Sequence, residues 1–175
     1  MLIKTTYSLT LLLILSSVVA AQERGPSTAE ERAQTVRLAR ALETDPLNDS
    51  AKPARAWLVE FLTKVPDVNV TVCPGILGDL LGKKKDYASE LVIQPMFSEA
   101  AYIIEHPEKA DDEAAVHLAG VEGTLRAYEA ILKVKPKAHH KSLDELIVKR
   151  DKGELAAHVA ETVKANCSGD KRKIQ

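Results

Sequence analysis

Aromatic side chains are scarce: one Trp, two Phe and four Tyr make up 4% of the 175 residues. An all-β sandwich or barrel draws on aromatic and β-branched residues for its strands, whereas Ala, Leu, Glu and Lys recur here in runs that favour helices. An excess of one charge sign is missing as well, with 24 Lys and Arg against 25 Asp and Glu and a formal net charge of −1. A dedicated nucleic-acid binder shows a strongly basic face, so no nucleic-acid partner is expected. Cysteine is limited to Cys73 and Cys167, far apart and without a nearby His, which excludes the ligand spacing of a structural zinc site. Long apolar runs are absent beyond residue 19, and none reaches the roughly 20 apolar residues of a membrane-spanning helix. Gly75, Gly78 and Gly82 are not followed by the Lys-Ser/Thr of a phosphate-binding loop, and no Gly-x-Ser-x-Gly elbow occurs.

The N-terminal residues read as a targeting signal. Lys4 precedes the apolar run 9–19, and Ala20 and Ala21 supply small side chains for cleavage before Gln22. Residues 1–21 are therefore expected to be a secretory signal peptide, with the mature chain exported to a periplasm or the extracellular space and carrying no transmembrane segment. In such an oxidising compartment Cys73 and Cys167 are expected to pair, and closing so long a loop stabilises by about 4 kcal/mol through loop-closure entropy.

The rest reads as all-α: six or seven short helices in a bundle or irregular helical array, with one extended segment near 68–73. The expected organisation is a disordered lead-in at 22–26, a single helical domain at 27–168 and a basic tail at 169–175. Ser27 with Glu30 has capping-box spacing and opens a helix to about Thr44. Pro53 suits the first turn of a second helix, whose Trp57 and Phe61 are core anchors. Val68, Val70 and Val72 alternate with Asn69, Thr71 and Cys73, the period of an extended chain. A short helix follows through Ile76, Leu77, Leu80 and Leu81, and a further one from Tyr87, which Pro95 is expected to break or kink before Phe97. Asp111 and Asp112 supply the negative charge that favours the start of the longest helix. Ala114, Leu118, Val121, Leu125, Tyr128 and Leu132 form its heptad-like seam, which must face other helices or a partner chain. Gly120 and Gly123 weaken that helix yet let another one approach closely. Ser142 with Glu145 has capping-box spacing for the next helix, and Gly153 separates it from a last one carrying Leu155, Val159 and Val163.

Two segments carry possible chemistry. Glu113 and His117, and again Glu154 and His158, place a carboxylate and an imidazole one helical turn apart. Were the two helices to face each other, the four side chains would suit a divalent transition metal. Each Glu, however, also lies in the first turn of its helix, where it stabilises the helix dipole without any metal. His139 and His140 follow Lys137 in a connection and are expected to be exposed. The expected function is a non-catalytic binding or protein-interaction module using the Leu118 to Leu132 seam or the Ile76 to Leu81 patch, with an unidentified protein partner or self-association and no cofactor. The alternative is a metal-binding helical protein built on the two Glu-x-x-x-His pairs. No residue set points to an enzyme.

Overall fold

The computed structural model describes residues 24–73, 75–78, 80 and 86–167. The expected signal peptide and basic tail lie outside them. The architecture is all-helical: α1 (Ala29–Thr44), α2 (Ala51–Lys64), α3 (Ala88–Glu105), α4 (Glu113–Val134), α5 (Lys141–Asp151) and α6 (Leu155–Asn166), with a 3-10 turn at Pro107–Lys109. No helix among the described residues is long and apolar enough to cross a membrane.

Helix α1 starts one residue later than the Ser27 spacing suggests. Thr28 and Glu31 form the capping box: the Thr28 hydroxyl accepts from the Glu31 amide at 3.2 Å, and the Glu31 carboxylate accepts from the Thr28 amide at 2.8 Å. Ser27 is engaged elsewhere, donating from both its amide and its hydroxyl to Asp67 at 2.8 Å. A contact across 40 residues thus displaces the local cap. Pro53 lies in the first turn of α2, which buries Ala54, Leu58, Phe61 and Leu62. Trp57 stacks on Phe61 with ring centroids 5.4 Å apart.

The segment after α2 forms no strand among the described residues, Thr71 alone having bridge geometry. Val68 and Val70 point inward as the alternation requires, but Val72 is 50% exposed and Cys73 is buried. The two-residue period fails there because Cys73 turns inward to form the expected disulfide with Cys167, the two Cα atoms lying 5.4 Å apart. The expected helix after it is replaced by turns and 3-10 geometry. Gly75 and Gly78 adopt φ of +84° and +63°, a left-handed conformation incompatible with a continuing α-helix.

Pro95 does not break α3, which runs unbroken from Ala88 to Glu105 with Pro95 inside it. A proline removes one helical hydrogen bond at a cost of ~3 kcal/mol. Tertiary burial offsets this: Leu91, Gln94, Pro95, Phe97 and Ser98 are all buried, and α3 packs along α4 and α1. Helix α4 is capped by Asp112, whose carboxylate accepts from the Ala115 amide at 3.1 Å. Helix α5 begins at Lys141 without a capping box, and the Ser142 hydroxyl is buried without a hydrogen-bond partner among the described residues. Its start is fixed from a distance instead. The His140 amide donates to the Tyr128 hydroxyl at 2.8 Å, and that hydroxyl donates to Asp144 at 2.7 Å.

The α3–α4 hairpin forms the centre; α1 packs across both helices and α2 on α1, while α5 and α6 pack on α4 and on each other. One apolar cluster joins Leu91 to α4, α5 and α6, and another joins Phe97 to α1, α2, Val68 and Val70. The α4 seam lies in this core: Val121, Leu125 and Tyr128 are fully buried, with Leu118 and Leu132 packed at its edge.

Candidate functional site

The buried polar groups concentrate on the three helices that pack together at the centre. Glu99 of α3 is 2% exposed and His117 of α4 is 3% exposed. They face each other, with His117 Nδ1 2.8 Å from Glu99 Oε1. Gly120 makes this possible: a β-carbon there would lie 2.8 Å from Glu99 Oε1 and 2.9 Å from its Cγ. The close approach expected of the α4 glycines is therefore real, and what approaches is a carboxylate. Gly123 plays the same part for a second one. Glu43 of α1 lies against it and accepts from Ser98 at 2.8 Å, from Arg40 at 2.7 Å and from Arg126 at 3.0 Å. Both oxygens of Glu43 are thus bonded, and two guanidinium groups balance its charge, so that cluster ties α1, α3 and α4 together.

Glu99 is not saturated in this way. Its Oε2 is buried and has no hydrogen-bond partner among the described residues. Burial pushes the carboxyl up from its ordinary value, against the pull of His117 and of the Thr71 backbone amide. That amide is near enough to act on the carboxyl, but no hydrogen bond of ordinary geometry reaches Oε2. For His117, burial alone would lower the pKa; the hydrogen bond and charge of Glu99, with the charge of Glu113 beyond, outweigh it and hold the proton above the usual 6.5.

Glu99 also lines a cavity of about 430 Å³ between α3 and the 71–77 segment. The α3 wall carries Ser89, Val92, Ile93, Pro95, Met96 and Glu99, a stripe at helical spacing; Val72, Ile76 and Leu77 close the opposite side. The volume falls in the ordinary range for small-molecule sites, which are mostly apolar with a few placed polar groups. Cys73 lines it too, so the disulfide clamps one wall to the end of α6. The Ile76 to Leu81 patch foreseen from sequence is represented here by Ile76 and Leu77, both buried and facing the cavity.

Thr71, His117 and Glu99 follow the order of a nucleophile, a base and an orienting acid. The geometry falls short of that role. Thr71 Oγ1 lies 3.4 Å from His117 Nε2, beyond the usual hydrogen-bond reach between a nucleophile and its base. What the arrangement does supply is a buried acceptor at the wall of an apolar cavity.

The other residues singled out from sequence are placed as follows. His117 turns to Glu99, whereas Glu113 and Glu154 are exposed and His158 is half-buried. Among the described residues no group of three or more His, Cys, Asp and Glu side chains is placed to hold a metal ion, so Glu113, His117, Glu154 and His158 are not gathered as a ligand set. His139 is exposed as expected, 3.2 Å from Asp144. His140 is buried, and its Nε2 donates to the Asp86 carbonyl at 2.8 Å, fixing the turn that enters α3. Glu99 was not foreseen. The available signal is an acid in the stretch Phe97-Ser-Glu-Ala-Ala101 with no base three or four positions away, since a lone Glu among small residues on a helix lacks the usual surface pairing. No protein-family model, curated protein or solved structure matches the chain.

Proposed function

We infer that this chain is an exported, non-catalytic binding module that holds a small, mostly apolar ligand between α3 and the 71–77 segment. One observation carries the reading: a cavity of about 430 Å³ with apolar walls and a buried carboxylate among its lining residues. Taking ~30 Å³ per non-hydrogen atom, it has room for about a dozen such atoms. The middle of the α4 seam, Val121, Leu125 and Tyr128, is spent on the core, which favours the cavity as the candidate for binding. Export is supported by the N-terminal pattern of residues 1–21 and by the disulfide, which persists in oxidising compartments.

The test uses a small apolar fluorescent probe that the cavity can hold, 1-naphthylamine, titrated into the oxidised protein. Saturable binding at one site is expected, and Val92→Trp, which fills the cavity from α3, should abolish it with helix content retained. Absence of saturable binding, or undiminished binding by a folded Val92→Trp variant, overturns the reading.

A further inference from the structure

We propose that the cavity is selective for ligands with a cationic amine head, an alkyl- or arylammonium whose charged group settles on Glu99. The proposal rests on the binding-module reading and specifies the ligand's chemistry. Among the described lining residues Glu99 is the one ionisable side chain; Thr71 and Ser89 add hydroxyls, and the remainder is apolar. Among the described residues no Lys, Arg or His joins it on the wall to receive an anionic head. Glu99 Oε1 is occupied by His117, whereas Oε2 is buried with no hydrogen-bond partner among the described residues. An unpaired buried acceptor is costly, and a carboxylate gains most from a charged donor. A ligand ammonium would therefore satisfy Oε2 without displacing any protein hydrogen bond.

Access calls for one local movement, because Glu99 is almost fully buried. Met96 lies one turn before it on the same wall and is only partly buried. Its unbranched thioether is the most adaptable side chain there and is the group that yields to a ligand head.

The charge already near Glu99 sets how binding responds to pH. His117 of α4 faces the carboxylate and Glu113 acts on His117; among the described residues of the 71–77 segment only the Thr71 amide and hydroxyl approach. An ammonium group on Glu99 repels the imidazolium, so ligand binding and the His117 proton oppose each other. By linkage, ammonium affinity rises as pH increases and the pair gives up its proton.

The experiment titrates n-octylamine, n-octanol and sodium octanoate into the full-length oxidised protein by calorimetry, three ligands with one chain and different heads. Octylammonium should bind on the order of tenfold more tightly than octanol, with octanoate weakest. Glu99→Gln should reduce octylammonium affinity to the level of octanol. In the unsubstituted protein, octylammonium affinity should increase between pH 5.5 and 8 while that of octanol stays level, a readout that does not depend on the variant folding. Octanol or octanoate binding as tightly as octylammonium, or a pH-independent octylammonium affinity, overturns the cationic preference and leaves the binding module standing. Binding of none of the three overturns both.

Discussion

Gly123→Ala is the most direct perturbation of the way the central helices meet. On an exposed helix this change is stabilising by ~1 kcal/mol, because alanine costs less backbone entropy than glycine. Here the new β-carbon would lie 2.5 Å from Ser98 Cβ and 2.6 Å from Glu43 Oε1. The first of these neighbours is attached directly to the α3 backbone and cannot rotate away, so α3 and α4 must separate or shift. Overpacking of this kind costs about 1–3 kcal/mol. Disturbing the hydrogen bond from Ser98 to the Glu43 carboxylate removes a further ~1.5–3 kcal/mol. Because the two effects overlap and the propensity gain opposes them, the expected net loss is about 2–4 kcal/mol. For a domain of this size that lowers the thermal midpoint by roughly 4–16 °C. Urea unfolding followed by far-ultraviolet circular dichroism measures the free energy directly. Removing the obstructing side chain in the double variant Ser98→Gly, Gly123→Ala should recover the overpacking part of the loss, though not the hydrogen bond. A Gly123→Ala protein as stable as the parent, or more stable, would refute the argument that this glycine is required by side-chain packing.

The remaining predictions concern the core, the buried pair, the disulfide and metal. Leu125→Asp places an unpaired carboxylate where the side chain is wholly buried, and should cost several kcal/mol and abolish most helical ellipticity; retained helix content with altered association would instead make the seam an interface. His117 has a folded-state pKa above its ordinary 6.5 and Glu99 one above 4.5. Their contribution is thus complete below about 4.5 for Glu99 and about 6.5 for His117, and is lost as pH rises through the folded values. Urea midpoints between pH 5 and 8 should fall with pH in the parent and flatten in the double variant Glu99→Gln, His117→Asn; an unchanged slope would remove the pair from the account. Replacing both Cys73 and Cys167 by Ser opens a loop of 94 residues and should cost about 4 kcal/mol, with binding of the naphthylamine probe weakened because one cavity wall is released. Equimolar zinc or a chelator should leave the unfolding midpoint unchanged, whereas a stoichiometric stabilisation lost in a His117→Ala, His158→Ala variant would restore the metal-binding alternative.

Which features were readable before folding follows from the range of the forces involved. Helical character, the α4 seam, Pro53 at the start of α2 and the inward faces of α6 depend on propensity and on spacings of three and four residues. These are local properties of the chain. The disulfide was readable for a different reason, as an even cysteine count in a chain expected to be exported leaves one internal pairing.

Tertiary structure decided the rest wherever a distant group competed with a local preference. Ser27 has the spacing of a cap, but Asp67 takes its hydrogen bonds and the cap moves to Thr28. Pro95 carries a strong local signal to stop, yet packing on both sides keeps α3 intact. Val72 follows the strand period, but the bond between Cys73 and Cys167 turns it outward. His117 forms a good local pair with Glu113 on paper; α3 instead presents Glu99, 18 residues earlier, at 2.8 Å. Sequence alone determined the all-helical character, where most of the helices would lie and which faces of them would be apolar, because these are set within a few turns of chain. Only the packing of α3 on α4 decided that two glycines would admit two buried carboxylates, and that one of these would keep an unsatisfied oxygen beside a cavity. That outcome depends on how two helix faces meet in space, which no local pattern records.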